Sequence, residues 1–286
     1  MRIIGAGFGR TGTMSTRLAL KDLGYDPVYH MSEIMMPPKY LMNLAKFFGK
    51  ILGQKPTDLV RMGDGGMHHC ELLINAMEAK QNGEKEVCLK YLKTIFTNYD
   101  SCLDYPACMF YEELHELYPD ALVLLNVRDK PEDFAKSVIN TIGSFHVYLN
   151  SWQHITASKF FGPIGVIVNE MGTKVVSGPM GLKNENEWVN KEVLVECYEK
   201  HVANVKSKIP EDKLLVFNVK QGWKPICEKL GLKVPDHDFP RGNDTNQLRF
   251  LTGMVKKLDF VVLMVMSAFV LVTFYFILLC LANFMN

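Results

Sequence analysis

Residues 3–15, IIGAGFGRTGTMS, join an apolar strand pattern to a glycine-rich turn carrying one cation, Arg10, and two hydroxyls, Thr11 and Thr13. A turn of this kind between a strand and a helix suits phosphate, because backbone N–H groups and the positive end of the helix face the anion. Three chemistries compete for it. Read as G-x-G-x-x-G, with Gly7, Gly9 and Gly12, it would hold a dinucleotide pyrophosphate. That reading needs an acidic ribose partner about twenty positions on, and the candidates are Asp26, which precedes a proline, and Glu33, which follows the end of the next strand pattern. Read as G-x-x-x-x-G, it lacks the lysine of a nucleoside-triphosphate loop, since Thr13 and Met14 stand where Lys and Ser/Thr should reach the phosphates and Mg²⁺. No strand pattern ends cleanly in a metal-binding Asp either. In the third reading Arg10 is the cation, and the backbone N–H groups with Thr11 and Thr13 surround a single 5′-phosphate without a metal.

Further motifs follow in order: YHMSE at 29–33, YDSCLDYPACMFYEEL at 99–114, YPDALVLLNVRD at 118–129 and FPRGNDT at 239–245. With GAGFGRTGT they resemble the P-loop sulfotransferase family, whose members are often mislabelled NAD-dependent epimerases, over roughly residues 3–250. The resemblance implies 3′-phosphoadenosine 5′-phosphosulfate (PAPS) as donor, no metal, and a small acceptor with a hydroxyl or amine. It assigns Gly7, Phe8, Gly9, Arg10, Thr11, Gly12, Thr13 and Met14 to the 5′ end of the donor. It assigns Arg128 and Ser137 to the donor's 3′-phosphate, with Arg241 as a second cation there, and Asp104 of LDYP as the general base. Arg10 would serve the leaving phosphate. His30 is the alternative base, because an imidazole with an unperturbed pKa near 6.5 suits proton acceptance. Two other functions remain open: an NAD(P)-dependent oxidoreductase, and a non-catalytic anchored scaffold that keeps the nucleotide site.

To position these residues the chain needs strands that end at one edge. Apolar runs at 2–6, 28–31, 102–105, 121–127 and 214–219 read as strands, and ALVLLNV and LLVFNV are apolar throughout, as parallel strands covered on both faces are. Helical periods fall at 13–24, 67–80, 107–118, 131–142, 188–208 and 222–230, several of them closed by Gly24, Pro119 or Pro210. This alternation predicts an α/β domain with a mainly parallel sheet, in the three-layer form of the P-loop NTPase-like folds. The segment 37–56, sprinkled with Lys39, Lys46, Lys50 and Lys55, suits a helix resting on an anionic leaflet or a lid over the site. Phe145, Trp152, Phe160 and Phe161 suit an acceptor pocket or a core. His68 and His69 have no third metal ligand at helical spacing. Val202 stands where the resemblance leads one to expect Asn after His201, which puts that helix's polar contacts in question.

The balance of 32 basic against 31 acidic residues gives no general affinity for nucleic acid, so anion binding must be local. Seven scattered cysteines without a C-x-x-C read as reduced thiols in the cytosol. MRIIGAG runs directly into a strand pattern, with no apolar leader. Residues 260–282, by contrast, carry neither charge nor proline and are long enough to cross a bilayer. Arg249, Lys256 and Lys257 precede them, so the main domain, residues 1–250, is expected on the cytosolic side, joined to the span through residues 251–259.

Overall fold

Five short apolar runs pair into one all-parallel sheet in the computed structural model, which describes residues 1–31, 66–158, 170–242 and 244–284. The strands are β1 (Ile3–Gly5), β2 (Val28–Tyr29), β3 (Ser101–Cys102), β4 (Leu122–Asn126) and β5 (Leu214–Phe217), in the spatial order β2-β3-β1-β4-β5. β1 is central, with Ile3 paired to Ser101 on one side and to Leu122 on the other. The expected strands are present, trimmed at their ends. The trimming matters at β3, which stops at Cys102, so that Asp104 lies on the turn beyond the strand.

The helices are α1 (Thr13–Asp22), α2 (Gly66–Gln81), α3 (Lys85–Phe96), α4 (Tyr111–Leu117), α5 (Pro131–Val138), α6 (Ser144–Leu149), α7 (Trp152–Ser158), α8 (Lys191–Lys208), α9 (Lys224–Leu230) and α10 (Asp244–Phe284). Side chains alternate across a strand, so consecutive residues feed two cores. Ile4, Cys102, Val123 and Leu125 join Leu73, Leu92, Leu114, Phe134 and Leu194 on one face. Ile3, Leu103, Leu124 and Phe217 join Ala19, Leu20, Ile226 and Cys227 on the other. The result is a three-layer α/β domain with its sheet covered on both faces. Fully buried Leu, Ile or Phe side chains of this kind stabilise by about 1.5–3 kcal/mol each relative to exposure.

Local chemistry accounts for the helix ends. Asn190 caps α8 by accepting a hydrogen bond from the Val193 N–H at 3.1 Å, and Gly231 closes α9 in the left-handed conformation. The helix expected at 107–118 starts as a 3₁₀ turn, Ala107–Phe110, behind Pro106. The one expected at 131–142 passes through a π segment, Ile139–Gly143, into α6. α10 is a single helix of 41 residues whose Thr252–Leu281 stretch, with mean hydropathy 2.7, is long and apolar enough to cross a membrane. The segment 37–56, Glu33, Phe160, Phe161 and Asn243 lie outside the described residues.

Candidate active site

The turn after β1 delivers a helix end that faces the carboxyl edge of the sheet. Gly12 begins α1 at φ 99°, a left-handed conformation in which a side chain would be strained. Gly12, at the N-cap of α1, brings no side chain to the first-turn amides, and that turn carries no acidic residue, so its positive end is suited to an anion. Thr11 is fully buried and donates its hydroxyl to the Phe8 carbonyl at 2.6 Å, which makes it a staple inside the turn. Phe8, Thr13 and Met14 are buried as well.

Arg10 gathers distant parts of the chain. Its Nε donates to Ser137 Oγ at 3.3 Å and its Nη2 to Thr245 Oγ1 at 2.6 Å. Arg128, just past the end of β4, donates from Nε to the Arg10 carbonyl at 2.7 Å, while its backbone N–H donates to the Tyr198 hydroxyl at 2.9 Å. Arg10, Arg128 and Ser137 are therefore one cluster at the ends of β1 and β4. The late loop closes over α1, where the Gly242 N–H donates to Ser15 Oγ at 2.9 Å and Gly242 packs against Met14. Arg241 itself is exposed at the rim.

On the other side of the turn lie Asp104 and His30. Asp104 Oδ1 accepts the Tyr105 N–H at 2.8 Å, and Oδ2 lies 3.0 Å from His30 Nε2. His30 Nε2 is also 3.2 Å from Thr13 Oγ1. Burial, followed by the charges of Arg17 and Arg10, pulls the His30 imidazole down to about 3. The ring is thus neutral at neutral pH and donates from Nε2 to the carboxylate. A Cβ on Gly9 would clash with Asp104 Oδ1, so the phosphate-type turn and the carboxylate touch directly. Among the described residues, the non-glycine positions with left-handed backbone are Arg10, at φ 71°, and Asp104, at φ 69°. Both are 6% exposed. Strain of about 1–3 kcal/mol at such positions persists only where the surroundings over-determine the geometry, and it concentrates at functional sites.

His201 was not among the residues singled out for the site. Its Nε2 donates to the Ala6 carbonyl at 2.7 Å and its ring stacks on Phe8 at 3.8 Å, while burial pulls the imidazole down to about 4. It thereby ties α8 to the entry of the turn. Val202, where Asn was expected, packs part-buried against the apolar core, while the neighbouring His201 makes the polar contact just described; its sequence signal was a single His on α8. Of the expected pocket aromatics, Phe145 is buried, whereas Trp152 is 68% exposed on the outer side of α7.

A strand-to-helix anion site beside a buried carboxylate suits transfer of an anionic group to a deprotonated acceptor. The comparisons agree. "Ava biosynthesis cluster protein M" of Aspergillus versicolor is 29% identical over 252 residues, covering 84% of this chain and 80% of that protein. The sulfotransferase domain family matches residues 2–248, which takes in β1, the Arg10 turn, Asp104, Arg128 and the loop over α1. With nearly the whole α/β domain inside that match, the chain belongs to the sulfotransferase domain family.

Proposed function

We propose that this chain transfers the sulfuryl group of PAPS to a hydroxyl or amine of a small acceptor. The observation that carries the reading is the pairing of Arg10 and Asp104, two buried residues in left-handed backbone on opposite sides of one turn. The donor set fits PAPS: a buried guanidinium and an uncapped helix end suit a 5′-phosphate, and Arg128 with Ser137 suits a second anion nearby. Bound PAPS supplies an activated sulfuryl group on its 5′-phosphate. Arg10, the α1 amides and Thr13 offset the charge that collects on the leaving phosphate as its oxygen–sulfur bond breaks. Asp104 takes the acceptor's proton as the new bond to sulfur forms. In this reading His30, which burial keeps neutral, donates to Asp104 and orients the carboxylate, a geometry that supports Asp104 as the base over the alternative His30. Arg10 supplies the cation, so the scheme needs no metal. Arg241 at the rim adds charge toward the 3′-phosphate.

The Aspergillus versicolor relative is named for a biosynthesis cluster, which supports a small-molecule acceptor here. In this reading the domain of residues 1–250 faces the cytosol, residues 251–259 join it to the bilayer and residues 260–282 span it, consistent with the basic residues ahead of the apolar stretch.

Thermal shift of the full-length, detergent-solubilised protein against adenosine 3′,5′-bisphosphate, AMP, NAD and ATP in parallel tests the donor. A ligand at 100 times its Kd stabilises by ~2.7 kcal/mol. The bisphosphate should give the largest shift, and a larger shift with NAD or ATP overturns the reading. Donor binding with no turnover of any acceptor would leave a nucleotide-binding scaffold instead.

A further inference from the structure

The feature that the proposed chemistry leaves unused is α7 and the place where it meets α10. α7 packs against α10 beside Asp259, a carboxylate only 2% exposed. Asp259 Oδ2 accepts from the Tyr148 hydroxyl at 2.7 Å and lies 2.9 Å from His154 Nδ1. Lys256, one turn earlier, places its Nζ 4.9 Å from the centroid of the Tyr148 ring. A polar latch thus fixes α6 and α7 at one level of α10. That level is the boundary at which the character of α10 changes: Lys256 and Lys257 precede it, and from Phe260, 64% exposed, the outward surface is apolar to the end of the apolar stretch.

At this same level α7 turns two large apolar side chains outward, Trp152 at 68% exposure and Ile155 at 47%. Three residues apart on a helix, they share one face. An exposed Trp–Ile face on a domain surface is unfavourable in water, but a Trp at the start of a membrane-crossing helix is where an aromatic belt lies, with the ring among the headgroups. We infer that α7 is a membrane-interface foot: Trp152 and Ile155 rest in the headgroup boundary of the leaflet that α10 enters, and the Asp259 latch holds them there. The occupant of this face is lipid, since α7 packs on α10 and its His154 is held at Asp259, the residue before the exposed apolar stretch begins at Phe260. The inference rests on the reading of α10 as a membrane span.

Trp152 is its own probe, because Trp188 and Trp223 are 4% and 6% exposed. Full-length protein is reconstituted into phosphatidylcholine vesicles containing phosphatidylserine, with bromines placed on the acyl chain either near the headgroup or near the bilayer centre. The shallow label should quench part of the emission and the deep label less, and Trp152→Phe should abolish the difference. Asp259→Asn should weaken the shallow quenching without releasing the protein from membranes into alkaline carbonate. Trp152 emission quenched by aqueous iodide and by neither lipid label overturns the inference, as does stronger quenching by the deep label. If carbonate frees the wild-type protein, the span itself fails and the foot falls with it. Carbonate resistance with a water-exposed Trp152 sinks the foot alone.

Discussion

Arg128 is half-buried, with its guanidinium bonded to the carbonyl of Arg10, so its removal should act on the donor's second anion and on the turn together. Arg128→Ala is expected to weaken adenosine 3′,5′-bisphosphate binding by ~1.5–3 kcal/mol, more than it weakens AMP binding, as a charge-assisted contact is lost. Calorimetric titration with both nucleotides checks it, and equal losses would remove the 3′-phosphate from Arg128. Asp104→Asn keeps the shape and the donor affinity but should slow turnover by ~10²–10⁴-fold, the usual range for loss of a general base. Near wild-type turnover on an established acceptor would end that role. Acid should also loosen the fold. Burial holds His30 at about 3 and His201 at about 4, below the value near 6.5 that an imidazole has in the unfolded chain. The unfolded state therefore binds more protons in between, so stability is complete above roughly pH 6.5 and drains away as pH falls toward 4 and then 3. Urea midpoints at pH 7.5 and 5 should show the drop, and His201→Phe should reduce it; a midpoint independent of pH would contradict both assignments. Arg10, Asp104 and Arg128 stand out in the sequence because each sits in a local motif. Thr245 closes the FPRGNDT motif, but its bond to Arg10 spans most of the chain and leaves no local pattern.

Among the elements, β1, its turn and α1 were legible because a strand period, glycines and a helix period follow one another within twenty residues. The neighbouring position of β3, which brings Asp104 beside the turn, is seen in the sheet order. α3 was missed, although Cys88, Leu89, Leu92, Ile95 and Phe96 make a helical stripe. Its three lysines and one glutamate, without a proline or a side-chain cap at its start, left that stripe without a clear boundary. The extent of β3 was overread for the opposite reason: CLDY looks like a strand, but Asp104 turns out of it in left-handed backbone. The contact between the turn and Asp104 can be tested at this scale. Gly9→Ala would force a methyl against Asp104 Oδ1 and the Tyr105 ring. Turnover should fall by at least ~10-fold with the protein still folded, since a shift of the order of an ångström at reacting groups has a large effect on rate. Unchanged kinetics would show that the turn and the carboxylate do not depend on each other.

For the molecule as a whole, the apolar end of the sequence announced a helix long and apolar enough to cross a membrane, whereas its bond to the candidate site was invisible until the fold brought Thr245 to Arg10. On the proposed topology the full-length protein should remain in the membrane pellet after carbonate extraction and the Asn243-Asp-Thr245 sequon should stay unglycosylated. A glycan there would put the domain on the opposite side. The bond from Arg10 to Thr245 ties the start of α10 to the Arg10 cluster, so on the proposed function and topology no slack tether would separate catalysis from bilayer. At a rise of ~1.5 Å per residue, Thr245 stands ~22 Å along the helix from Phe260. Such an enzyme would sample a thin shell above one leaflet, and an acceptor dissolved in that leaflet would be met by lateral diffusion in two dimensions. Its rate would then follow the acceptor's mole fraction among the lipids and would fall when inert lipid is added at fixed bulk concentration.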